Sequence, residues 1–508
     1  MTGGAVEPVV APPVMAGVQA LPGSPARSLL AYNGRSMRLL SFVLIAAAAF
    51  AQETPTERQA AHDVLSKMSD LERAIDARTI VERLTVSNPQ RDQTVARAKE
   101  LMDTQLLAMA DDITRHPEIG FEETRSVGIL TDYLKQHGFD VTMGVANLKT
   151  AFIAHYKGNN GSPNLGVILE YDALRGTTRA FHGDQHSAQG PVGIAAAVAI
   201  TELLQKTHLP GSVTVIGTPG EEMMPPNAKT VMFDAGVFNG IDILVRSHST
   251  SQTSRAAPGF GTCCLNIDGV KYIFSGAPSH QMTPWAGRNA LEAVIHLFEN
   301  VDAMRSTIRP EARIQGVITE GGAAPNVVPD RAVADFYIRY PDEVYLAQVR
   351  QDVDNAARAA ALATGTKVKI DAYGHDRDGI SVASLDELAF AYMKKYGATK
   401  VNAEPAKPAG YEETGSVSSA IPGVGFQAAT SNWANHTYGM EADAVTEVGH
   451  SGFNVDAQAM TALLYDYLTH PDYRGEVKRE FEGIQKLFAE YKESLGKVYA
   501  IPNVPDPK

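Results

Sequence analysis

At 508 residues the chain exceeds the ~250–300 at which a single core stops growing, so two or three domains are expected. Its 44% hydrophobic and 20% charged residues, with Gly and Pro scattered along the chain, exclude a largely disordered protein. A net charge of −13 without clustered Lys and Arg excludes a nucleic-acid footprint and points to small molecules or peptides as partners.

Residues 1–36 are rich in Pro, Gly and Ala and read as an upstream extension. From Met37 the sequence is "MRLLSFVLIAAAAFAQETP", with one basic residue, an apolar run from Leu39 to Phe50, and the small-x-small pattern Ala49-Phe50-Ala51. That pattern predicts a signal peptide over about Met37–Ala51, cleaved after Ala51, and so a periplasmic or secreted protein. The run is shorter than the ~20 apolar residues a membrane span needs, so no stable membrane association is expected after cleavage. Cys263 and Cys264 are the only cysteines and are adjacent, which leaves no ordinary disulfide framework.

Residues 52–110 place apolar and charged side chains at helical spacing and predict one or two peripheral helices. The stretch "RHPEIGFEETRSVGILTDYLKQHGFDV" predicts a helix stopping at Gly138. Then "LGVILEYDAL" reads as a buried strand, "PVGIAAAVAITELLQKT" as a helix, and "GSVTVIGTPGEE" and "GIDILVRSHS" as further strands. This alternation predicts a mostly parallel sheet with helices on both faces and functional groups beyond the strands' carboxyl ends. From about Thr262 the order becomes β-α-β-β-α-β, which suits a small open sheet with two helices on one face, inserted into the first domain. The expected division is residues 1–51 as extension and signal peptide, 52–261 and 374–508 as a larger α/β domain, and 262–373 as an inserted ferredoxin-like α+β domain. In the tail, Val477, Phe481, Ile484, Phe488, Tyr491 and Leu495 share a helical stripe expected to pack in the core.

The chemistry concentrates in four places. "HGDQH" carries His182, Asp184 and His186, ligand types for a divalent ion, and an Asp can bridge two ions. By itself the motif is equally an ordinary polar loop. In "TPGEE", Glu221 and Glu222 follow a strand, so one can bind metal while the other faces substrate as a general base. His248 follows the strand "IDILVRS", and "SNWANHTYGMEADAVTEVGHSG" offers both His436 and His450.

The segments "HPEIGFEE", "EYDAL", "TPGEE", "FSGAPSH…P…GRNALEAV", "EGGAAPNVVPD" and "TGSVS…PG", in this order, resemble the amidohydrolase branch of the aminoacylase and carboxypeptidase G type dinuclear metallopeptidases. The p-aminobenzoyl-glutamate hydrolases and aminoacyl dipeptidases are nearest by pattern, and the resemblance covers about residues 95–470. It implies a zinc-peptidase-like catalytic domain holding two divalent ions, Zn or Mn, and a lid that also forms a homodimer. It further implies Glu221 as general base and Asp184, His186, Glu222, His248 and His436 as ligands, with His450 the alternative to His436. Asp184 stands where the branch has cysteine and would bridge the ions. Asp172 and His182 would support the ligands from behind. His280 would reach into a partner subunit and polarise the scissile carbonyl, and Asn326 and Arg339 would hold the substrate's backbone or carboxylate. "MMPPNAK" after the Glu pair, and Phe181 and Gln185 in the metal loop, depart from the usual small residues and are expected to reshape the substrate pocket. The expected reaction is hydrolysis of the amide bond in N-acyl or N-aminoacyl amino acids. A dipeptidase requiring a free amino terminus, and a catalytically inactive metal- or ligand-binding relative, are the alternatives.

Overall fold

The computed structural model describes residues 55–223, 227–262 and 265–500. The expected signal peptide, the cysteine pair and Met224–Pro226 lie outside the described residues.

The N-terminal region is more helical than one or two peripheral helices. It forms α1 (Pro55–Ala74), α2 (Ala77–Leu84) and α3 (Pro89–Leu101), and α3 continues through a π-helical turn at Met102–Leu106 into α4 (Leu107–Arg115). Asp76 and Asn88 supply side-chain caps to α2 and α3. Helix α5 (Thr124–Gln136) ends as expected, with Gly138 at φ +83° where a side chain would be strained.

The larger domain is built on a six-stranded sheet: β1 (Asp140–Met143), β2 (Phe152–Lys157), β3 (Asn159–Leu169), β6 (Pro210–Gly217), β7 (Ile243–Ser247) and β14 (Gly423–Phe426). Their order is β1-β2-β6-β3-β7-β14. β6, β3, β7 and β14 are parallel neighbours, and β1 and β2 add an antiparallel edge. Between β3 and β6 lie the short hairpin β4 (Leu174–Arg175) and β5 (Ala180–Phe181) and the helix α6 (His186–Thr207). This helix is apolar and long enough to cross a membrane, but it is the core helix of the sheet, buried along most of its length. It begins at His186 rather than near Pro191. Pro191 therefore lies inside the helix, past its first turn, and leaves the Ser187 carbonyl without its i+4 donor.

Helix α7 (Ala228–Asp234) lies between β6 and β7, and after β7 comes a two-stranded stem, β8 (Gly259–Gly261) paired with β13 (Gly379–Ser381). The stem carries the lid: β9 (Asn266–Ser275), α8 (Ala290–Met304), β10 (Arg313–Glu320), β11 (Arg331–Tyr340), α9 (Glu343–Thr364) and β12 (Lys367–Asp376). Its antiparallel sheet has the order β10-β11-β9-β12, the ferredoxin-like arrangement expected from the sequence. β12 runs to Asp376, so the lid ends beyond the expected boundary at 373.

The chain closes with α10 (Ala383–Lys395), α11 (Tyr438–Ala444), α12 (Glu447–Thr469) and α13 (Pro471–Val498). All six stripe residues of α13 are buried, and Phe488 and Tyr491 pack on Phe260 of β8. His450 sits in α12, the penultimate helix.

Candidate metal centre

The parallel strands deliver the site. β3 ends at Leu169 and is followed by Glu170 and Asp172; β6 is followed by Glu221 and Glu222; β7 is followed directly by His248; the loop after β14 carries His436. The carboxyl ends of adjacent parallel strands lie side by side, so groups far apart in sequence converge at one rim.

The loop into α6 folds so that its ligand-type residues face that rim. Gln185, the residue before the helix, takes φ 52°, and His436 takes φ 63°, left-handed conformations that a side-chain-bearing residue holds only when its surroundings fix it. Here the fixing contacts are visible. Gln185 donates to the carbonyl of Met440, the backbone of His182 donates to Glu441 at 3.0 Å, and Glu441 also pairs with Arg179. Phe181 packs against Tyr438 in a tilted pair with ring centroids 4.3 Å apart. Phe181 and Gln185 are thus turned into the protein, where they lock the loop to α11 instead of lining a pocket.

On the far side, the "HPEIGFEE" motif holds the Glu pair in place. Glu118 accepts from the backbone of Arg125 and Ser126 at the start of α5, and Glu123 accepts from Gly220 at 2.8 Å. Gly220 has φ +66°, and a Cβ there would lie 2.6 Å from the Phe121 ring, so the turn before Glu221 requires glycine.

Within this frame His186 is central. Its Nδ1 donates to Asp172 at 2.9 Å, and the other oxygen of Asp172 accepts from the backbone of Glu222 at 2.9 Å. A carboxylate behind a ligating imidazole fixes both ring orientation and tautomer, the role expected for Asp172. His186 Nε2 is buried without a hydrogen-bond partner among the described residues. It lies 3.8 Å from Glu170 and 3.9 Å from Glu221, and its potential ligand atom is within 4.8 Å of those of Asp184 and Glu222. His436 Nε2 lies 3.0 Å from Asp184 and 3.7 Å from Glu222. His248 donates from Nδ1 to the Ser249 carbonyl, which leaves Nε2 as its lone-pair nitrogen, and it groups with Glu170 and His186, again within 4.8 Å. An unpartnered buried imidazole nitrogen amid four carboxylates and two further histidines is the donor set that divalent ions accept, and the residues fit such ions.

The electrostatics agree. Burial alone would raise the Asp184 carboxyl, but the His436 hydrogen bond and the nearby His248 and His186 hold it well below the usual range. Burial, reinforced by Asp184 and Asp172, pushes Glu222 up to about 7. Burial and the neighbouring Glu413 carry Glu221 well above the ordinary carboxylate value. Carboxyls crowded in this way lack positive charge, which bound cations would supply.

Other expected site residues fall elsewhere. His182 is buried with both ring nitrogens unpartnered, its pKa lowered to about 4 by burial, so it packs beneath the loop without a bond to any ligand. His450 pairs with Asp111 at 2.8 Å, which leaves His436 as the late histidine at the site. His280 and Asn326 are exposed on two adjacent lid loops, after β9 and between β10 and β11, where Gln281 donates to the Asn326 carbonyl and His280 bridges to Val327. Arg339 is half-buried on β11 and electrostatically coupled to Asp376 at the end of β12.

Sequence reasoning missed a second layer. Glu170 is fully buried and accepts from Arg246 at 3.0 Å and from Lys229; the same two cations also contact Glu413. The only signal for it was an acid two residues before Asp172 at a strand's end, a weak one without the fold.

The chain resembles known proteins along most of its length. Residues 265–364 match the peptidase dimerisation domain of the M20 type. The mouse Xaa-Arg dipeptidase is 30% identical over 409 residues, covering 76% of this chain and 91% of that protein. One of the polypeptides of the p-aminobenzoyl-glutamate hydrolase of Escherichia coli is 30% identical over 312 residues, covering 58% of this chain and 63% of that one. The crystal structure of an aminobenzoyl-glutamate utilization protein from Klebsiella pneumoniae shares the fold, with TM-score 0.53 and 18% identity over 73% of this chain and 98% of its own.

Proposed function

Because the chain belongs to the M20 family of metallopeptidases and is a metal-dependent amidohydrolase, we propose that it hydrolyses the amide bond of N-acyl or N-aminoacyl amino acids with Glu221 as general base. The observation that carries this reading is the buried, unpartnered Nε2 of His186 facing Asp184, Glu221 and Glu222. Two divalent ions, zinc or manganese, would be held by Asp184, His186, Glu222, His248 and His436 and would lower the pKa of the attacking water, polarise the carbonyl and offset the carboxylates' mutual repulsion. Asp172 keeps His186 in the ligating tautomer. Glu221, set by the Glu123-anchored turn, takes the water's proton and passes it to the leaving nitrogen. Arg339 and Asn326 on the lid orient the substrate's carboxylate and backbone, and His280 from a second copy stabilises the oxyanion.

Metal analysis followed by a release assay on a panel of N-acyl amino acids and dipeptides tests the proposal. Release of amino acid that stops on chelation and returns with Zn or Mn is expected; a metal-loaded protein inert to the whole panel would leave the inactive ligand-binding reading. The dipeptidase reading is favoured by one observation, Asp376 beside Arg339. Burial and then Glu412 and Glu413 hold the Asp376 carboxyl at about 7, and ionised it would offer a counter-charge for a substrate's ammonium group. Faster turnover of free dipeptides than of their N-acetyl forms would support that reading. Export rests on the Met37–Ala51 segment, and N-terminal sequencing of the mature protein, with Gln52 first, checks it.

A further inference from the structure

We propose that Glu170 is itself a metal ligand, and that it makes the two metal positions unequal. Glu170, His186 and His248 with Asp184 form a closed, tightly binding position, whereas Asp184, Glu222 and His436 form an open, exchangeable one. The inference rests on the metallohydrolase reading above.

The geometry at Glu170 carries it. The carboxylate is fully buried, and its Oε1 accepts from Arg246 and Lys229, so the side chain cannot swing away. With the Gln189 amide oriented to donate, its nitrogen lies 2.7 Å from Oε2 and steadies that oxygen too. Oε2 faces His186 Nε2 at 3.8 Å. That distance is too long for a hydrogen bond, yet it suits two ligands that each sit ~2.0–2.2 Å from one ion. The His186 nitrogen has no other partner and is itself almost fully buried. His248 completes the group within 4.8 Å.

Four protein ligands close a tetrahedral site, while three leave a place for water or substrate, the difference between structural and catalytic zinc. The outer group also differs in exposure, because the His436 side chain is 60% exposed while those of Glu170 and His186 are at most 1% exposed. Lys229 and Arg246 then act as orienting partners of a ligating carboxylate, a role that usually alters metal affinity about 10–100-fold. The competing explanation is that Glu170 and Glu413 serve only to neutralise the two buried cations, which they balance one for one.

Full-length protein stripped with a chelator is titrated with Zn²⁺ by calorimetry, and with Co²⁺ by visible absorption. Wild type should take up two ions in two steps separated by about tenfold or more in affinity. In Glu170→Gln the tighter step should weaken by at least about tenfold with the weaker step nearly unchanged, and the spectrum of the first cobalt bound should change. Glu170→Gln strands a buried cation, so the double variant Glu170→Gln/Lys229→Met, which keeps the pocket neutral, is titrated alongside, with thermal melting as the check on folding. A double variant that is folded and keeps the wild-type isotherm and cobalt spectrum assigns Glu170 to charge balance and overturns the inference. Two equal affinities in wild type overturn the inequality but leave the hydrolase reading standing; no uptake of divalent ions overturns that reading itself.

Discussion

Glu221 and Glu222 are adjacent in sequence yet have different environments. Glu222 lies 3.7 Å from His436 and is hydrogen-bonded through its backbone to Asp172, whereas the Glu221 carboxylate points toward His186 at 3.9 Å and senses Glu413 behind it. Glu221→Gln keeps shape and removes the proposed base, so metal content should stay at the wild-type level while kcat falls by about 10²–10⁴-fold. Metal analysis and steady-state kinetics on one preparation check this, and a variant with parental turnover would remove Glu221 from the role of base. At this scale the sequence was most informative about residue types. It offered the Glu pair, His186, His248 and Asp184 as candidates, but read along the chain it left His436 and His450 both open, because that choice depends on which one the loop after β14 carries to Asp184 and which one α12 carries to Asp111.

At the scale of elements, the site depends on how closely α6 lies on β3. A Cβ on Gly193 would sit 2.4 Å from Leu169 Cδ2 and 2.8 Å from Val167 Cγ1. Gly193→Ala should therefore push the helix away from the strand, cost about 1–3 kcal/mol, and move His186 relative to Glu170. Urea unfolding gives the first effect, and weaker metal binding in the folded variant gives the second. Asp456 on α12 ties together two of the site's strands, accepting from Ser247 at 2.7 Å and from the backbone of Ala428 at 3.0 Å. Burial pushes its carboxyl up to about 7 from the usual 3.8, so the folded protein binds a proton that the unfolded chain has lost between those values. Asp456 thus costs no stability below about pH 4 and its full share, up to about 4 kcal/mol, above about pH 7. Asp456→Asn can keep both hydrogen bonds without charge and should gain stability at pH 8 but little at pH 5. Equal shifts in the urea midpoint at both pH values would contradict this.

For the whole molecule, the lid presents an open sheet edge. β10 is an edge strand, and Val317 and Ile318 on it are 62% and 46% exposed, while Met282 and Trp285 near His280 are 71% and 76% exposed. Unpaired edges with apolar side chains favour pairing with another chain, which fits the match to a peptidase dimerisation domain. Size-exclusion chromatography with light scattering should give the mass of a dimer, and Val317→Arg should shift it toward monomer and lower turnover, since His280 would lose the neighbouring site it is proposed to enter. A wild-type monomer with full activity would sink both expectations.

The alternation of apolar strands and helices, the inserted β-α-β-β-α-β unit and most of the candidate ligand types are legible along the chain, because these depend on local periodicity and on residues that follow strands directly. The tertiary structure decided what depends on long-range closure. Sheet order placed Glu170, Glu221 and His248 at one rim, and side-chain packing turned Phe181 and Gln185 inward instead of toward substrate. The same closure brought Lys229, Arg246 and Glu413 together behind Glu170, although Lys229 and Glu413 stand 184 positions apart in sequence. No periodicity records such a meeting, because each of these residues, read along the chain, is an ordinary charge beside an apolar run; only burial in a shared interior obliges them to pair.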